Sequence, residues 1–203
     1  LRAVLSGQAP GDELEAAAYA ISEVAERVRA HFRPLYDAEP GGVLGFLVGG
    51  FSAGLHFPEM WQVLVGEDGD EVLQILPPGE SGIFHQGATD ALTRLVDGAG
   101  QGLGSALGHL GVPGDQAEQA ADEIRSMLSV PWAWSGMPLG ETIDLARFLV
   151  DTTINFVRFS PGDAIVGGPV EIAALTRREG FKWIQRKHYY AAQLNPTEDV
   201  PWN

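Results

Sequence analysis

The chain has 203 residues, 45% of them hydrophobic and 20% charged, enough for one domain with a large core or at most two small ones. Thirteen basic and 27 acidic side chains leave a formal charge of −14, whose field repels phosphate backbones and anionic lipid, so no nucleic acid and no membrane is expected as a partner. The absence of cysteine excludes a disulfide framework, a cysteine nucleophile and a thiolate metal site together.

The opening LRAVLSGQ lacks the three regions of a signal peptide, and no apolar run reaches the roughly 18 residues of a membrane span. The cytoplasm is the expected compartment. Because the chain starts at Leu1 without an initiator methionine, it is expected to be a processed product or to lack an N-terminal part. Asp12 with Glu15 three residues on is a capping-box pattern. Leu14, Ala17, Ile21, Val24, Val28 and Phe32 follow at helical spacing, which predicts a helix over about 12–31. Pro34, Pro40, Gly41 and Gly42 are expected to break it.

The run VLGFLVGG, Val43 to Gly50, has no alternation and predicts a strand buried on both faces. Gly50 to Gly54 then reads GFSAG, a match to the G-x-S-x-G elbow of serine hydrolases, with Ser52 as nucleophile. An elbow needs a helix directly after it. Here Pro58 falls within one turn, and EMWQVLV runs into the turn-forming GEDGD, so Met60 to Val65 reads as a strand and Ser52 as a polar residue in the turn before it. Glu71 to Leu76 predicts a third strand, paired across Asp68 and Gly69. Gly82 to His85 predicts a short fourth one, and GATDALTRLVDG a helix stopped by Gly98.

Glycine is dense over 99–114, which predicts a flexible connection. Asp115 and Glu118 repeat the capping-box pattern ahead of a small amphipathic helix, and 99–130 as a whole reads as a helical insertion packed on the main body. The two tryptophans of VPWAWSGMP suit a plug under that insertion or a contact with another subunit. A long helix is predicted over about 139–158, apolar around most of its circumference and so covered on more than one side. After SPGD, the alternation from Val170 to Leu175, the turn Arg177 to Gly180 and FKWIQ predict a β-hairpin. Residues 193–203 are expected to form an extended surface tail.

Helices before and after a set of sequential strands, without strand-helix-strand repeats, imply an antiparallel α+β fold in a single domain spanning 1–203. The glycines give no phosphate-binding fingerprint. His31, His56, His85, His109 and His188 are scattered without metal-ligand spacing, so neither metal nor cofactor is expected. The basic residues Arg177, Arg178, Lys182, Arg186 and Lys187 suit a solvated hairpin face, an intersubunit salt-bridge partner or an anion site.

Three motifs in series, FLVGGF (Phe46 to Phe51), GATDALTRL (Gly87 to Leu95) and DAIVGGPVEIAALT (Asp163 to Thr176), together with the order of elements, resemble the C-terminal two thirds of a proteasome β-type subunit. That family belongs to the N-terminal-nucleophile hydrolases and includes the bacterial proteasome-like proteins. The resemblance covers most of the chain apart from 99–130. It implies a four-layer αββα sandwich of antiparallel sheets, lacking its N-terminal strands here, in a threonine-type peptidase that assembles with copies of itself into a ring or filament and acts on polypeptide. The family's nucleophile is a threonine at the mature N-terminus whose own amine is the base, so it would lie upstream of Leu1. In the supporting D-A-x-S-G-G turn Asp163 matches the aspartate as the one catalytic residue present, whereas Val166 stands in the serine position. A second supporting serine is replaced around His85, Gln86 and Gly87. A noncatalytic structural or scaffold subunit of the same fold, and a serine hydrolase using Ser52, are the alternatives.

Overall fold

The computed structural model describes Leu14 and residues 18–163 and 165–187. The chain divides into two compact units, Leu1–Gly82 and Ile83–Asn203. Asp12, Glu15, His188 and the tail at 193–203 lie outside the described residues, but Leu14 and residues 18–20 are described and are not helical, so the helix expected from about residue 12 begins at Ile21.

In the first unit one helix, α1 (Ile21–Ala38), covers a sheet of three sequential antiparallel strands, β1 (Leu44–Gly50), β2 (Glu59–Gly66) and β3 (Gly69–Leu76). The register pairs Phe46 with Val63 and Val63 with Val72, which sets alternate residues of all three strands against the helix. Val63 and Val65 lose all solvent access there, beside Ala25, Val28 and Tyr36, and Phe32 stacks on Phe46 at 4.3 Å between ring centroids. The two-residue turn falls on Glu67 and Asp68, one residue earlier than expected, with Gly69 at φ 120°.

Two local expectations give way to tertiary packing. The helix runs through Pro34 to Ala38 instead of ending near His31. Proline in a helix interior removes a hydrogen bond, but the last turn is held from outside: Tyr36 is buried and its hydroxyl donates to the Gly42 carbonyl at 2.7 Å. Arg33 and Arg29 both reach Asp70, at 2.8 and 3.2 Å. Strand β1 is covered on one face only, with Leu44, Phe46 and Val48 toward the helix and Gly45, Leu47 and Gly49 exposed. The unbroken apolar run had suggested cover on both.

Asp70 ties the helix to the sheet, and its charge is coupled to folding. Burial disfavours its ionised form, yet the hydrogen bonds and charges of Arg33 and Arg29 outweigh burial and hold the carboxyl below its ordinary value. A depressed folded-state pKa gives stability that is present above the unfolded value of about 3.9 and disappears as pH falls through the folded value. Asp70→Asn is therefore expected to lower the urea midpoint at neutral pH and to leave it unchanged at the acid end. An equal loss at both ends would show that the pair's charge is not what matters.

The second unit is mostly helical: α2 (Asp90–Val96), α3 (Leu103–His109), α4 (Gly114–Leu128) and α5 (Leu139–Phe159), followed by the hairpin β4 (Ile172–Thr176) and β5 (Gly180–Gln185). The expected strand at Gly82 to His85 is irregular chain. The glycine-rich stretch is not an open linker, because Leu103–His109 forms α3 inside it and packs on α4 through the buried Gly104, Ala117 and Ala121. Small residues let these two backbones approach, an advantage that counting glycine as a helix breaker hides. The long helix α5 is also less covered than its sequence suggests. Leu149 and Thr153 are buried, while Phe148, Val150, Phe156 and Phe159 are exposed. No helix among the described residues is long and apolar enough to cross a membrane.

Candidate functional site

Ser52 lies between β1 and β2, and no helix follows Gly54. The chain turns there because Gly54 takes φ 77° and Pro58 leads into β2. Far from being displayed, Ser52 is 7% exposed. Its Oγ accepts the Ile21 backbone N–H at 2.9 Å and donates to Glu59 Oε1. Ala53 N–H donates to the Tyr19 carbonyl at 2.9 Å alongside. The residue at the helix N-cap, Ala20, has no side chain for capping. The serine thus supplies from the sheet what the first turn lacks, since the first N–H groups of a helix have no partner of their own.

Glu59 completes the arrangement. It is 6% exposed, and its Oε2 accepts Trp61 Nε1–H at 2.9 Å and Gln74 Nε2–H at 3.1 Å. A buried carboxylate is tolerated when donors surround it and a helix N-terminus lies near. The Ser52 hydroxyl is buried and both accepts and donates within the protein, so Oγ is not presented to a substrate and the arrangement acts as a clamp between helix and sheet. Sequence reading missed Glu59, although the signal is present: with period two it shares the inward face of Trp61, Val63 and Val65, where an acid needs a partner.

Asp163 sits in the exposed bend that joins α5 to β4, its backbone carbonyl accepting Ile165 N–H at 2.9 Å. Gly162 at φ 120° and Gly168 at φ 90° shape the bend, conformations that side chains rarely adopt. Among the described residues no side chain donates to the Asp163 carboxylate, and Val166, half-buried, has nothing to donate. His85 is half-buried ahead of α2, with Nδ1 shielded and unpaired among the described residues. No three His, Asp or Glu side chains among the described residues gather as a metal site. A shallow depression of about 870 Å³ runs along α5 past Asp144, Phe148, Asp151 and Phe156, and it does not include Asp163.

A scan against protein-family models and searches of curated proteins and of solved structures found no match. What can be said of function therefore rests on these residues and their placement.

Proposed function

We propose that this chain belongs to a self-assembling, proteasome-like hydrolase subunit of the N-terminal-nucleophile type, acting on polypeptide in the cytoplasm without metal or cofactor. The observation that carries the reading is the order of elements: a helix over sequential antiparallel strands, a short helix, a long helix, a glycine-shaped bend holding Asp163, and a closing hairpin. A four-layer αββα arrangement is supported by each unit taken alone, since each presents an apolar sheet face on the side away from its helix. In the first unit that face carries Leu47 and Leu73, in the second Leu175, Phe181 and Trp183, all more than 40% exposed.

In this reading the nucleophile and its amine base are supplied by the start of a mature chain ahead of Leu1, and Asp163 orients the amine through a charge-assisted hydrogen bond. Asp163→Asn in the natural protein is then expected to slow peptide hydrolysis by about a hundredfold without changing thermal stability, because the carboxylate is exposed. Unchanged hydrolysis would remove Asp163 from the mechanism. A second reading, a noncatalytic subunit of the same fold, is favoured by one observation: Val166 places a side chain without hydrogen-bonding capacity where the family pattern has serine.

A further inference from the structure

Helix α5 packs on α2 and β4, with Leu149 and Thr153 buried. Another side of it has no cover from its own unit: the depression that runs past Phe148, Asp151, Asn155, Phe156 and Phe159 is lined by residues of α5 and Ser160 alone. Phe148 is 45% and Phe159 77% exposed. Asp144, Arg147, Asp151 and Arg158 flank this stripe at spacings of three, four and seven residues, which set them on one side of the helix as a row of alternating charge. Asp144 precedes Arg147 by three residues and Asp151 follows it by four, the positions from which neighbours pair along a helix. Yet none of the four makes an ion pair among the described residues, and Arg158 lies 5.2 Å over the Phe159 ring instead.

We infer that this side of α5 binds the same side of α5 in a second copy, the two helices running antiparallel about a two-fold axis. The inference rests on the self-assembly and the layering proposed above: where the two sheets meet, α5 lies in an outer layer and this side faces away from the first unit. The argument is charge complementarity of the row with itself. With the axis level with Val150, Arg147 of each copy stands about 3 Å along the helix from Asp151 of the other, and Asp144 of each is offset as little from Arg158 of the other, at a rise of about 1.5 Å per residue. Each ion pair then occurs twice, as an isologous interface requires. A parallel alignment in register would set Asp on Asp and Arg on Arg, which is repulsive. Phe148 of each copy comes level with Thr152 of the other, which gives the pair an apolar contact at the spacing of about 8–10 Å that packed helices take.

Charge reversal in the full chain tests it. Arg147→Glu makes the middle of the row wholly acidic and Asp151→Arg makes it wholly basic, so each variant should self-associate about tenfold or more weakly than wild type in sedimentation velocity. Mixed in equal amounts the two should associate with each other at least as well as wild type does with itself, because each then meets its opposite at both symmetry-related positions. Both positions face water in the second unit taken alone, so circular dichroism should show unchanged helix content, and the mixture gives a readout that a misfolded variant could not produce. Wild-type association that survives both reversals, or two weakened variants that do not recover on mixing, would overturn the inference and leave the assembly reading standing. A wild-type chain that stays monomeric at all concentrations would overturn both.

Discussion

Glu59→Leu is expected to destabilise the first unit by about 3 kcal/mol, because three donors lose their acceptor at once in a site where water is largely excluded. The Ser52 hydroxyl, Trp61 Nε1–H and Gln74 Nε2–H all point at that carboxylate. Leucine fills the space and accepts nothing. Glu59→Gln keeps one acceptor oxygen and should cost about half as much, while Ser52→Ala should cost about 1–2 kcal/mol through loss of the cap at Ile21 N–H. Since the two residues act as one unit, the double variant should fall well short of the sum. Urea unfolding followed by tryptophan fluorescence measures all four. A Glu59→Leu protein as stable as wild type would mean that the network contributes nothing net, the outcome known for some buried ion pairs.

The second large effect is expected at Gly98, which ends α2 at φ 77°. A Cβ there would stand 2.5 Å from Leu128 Cβ and 3.0 Å from the Leu128 carbonyl oxygen. Those atoms belong to the end of α4, where Val130 N–H also donates to the Val96 carbonyl at 2.9 Å, so backbone cannot move aside without undoing the junction of α2 and α4. Left-handed strain and steric overlap together put Gly98→Ala at about 2–4 kcal/mol. Two neighbouring glycines serve as controls. A Cβ at Gly102 meets nothing within 4 Å, and the three atoms nearest to one at Gly104 are the carboxylate end of exposed Glu118, a flexible side chain that can swing outward. Thermal denaturation should rank Gly98→Ala far below the other two. Equal losses at all three would mean that helix propensity, not the Leu128 contact, governs this region.

The elements legible in the sequence were those whose pattern is local. Alternation and turn residues located β2, β3 and the β4–β5 hairpin to within a residue or two, and the dense apolar spacing located α5. What stayed hidden was decided by partners far along the chain. The continuation of α1 past Pro34 depends on Asp70 and on the Tyr36 hydroxyl reaching Gly42. Helix α3 depends on its packing against α4, where Ala117 and Ala121 are buried. The same holds at the candidate sites. The motif around Ser52 was visible as a pattern, but its meaning lies in contacts 31 and 7 residues away, with Ile21 and Glu59. Asp163 was singled out through the resemblance of its D-A-x-x-G-G bend to the family's turn. In the proposed reading its chemistry depends on a nucleophile at the start of a mature chain.

That dependence makes the start of the natural chain the deciding measurement. N-terminal sequencing and intact mass of the protein isolated from its source should give a mature chain that begins upstream of Leu1 with threonine, serine or cysteine. A natural mature start at Leu1, which carries neither hydroxyl nor thiol, would contradict the hydrolase reading.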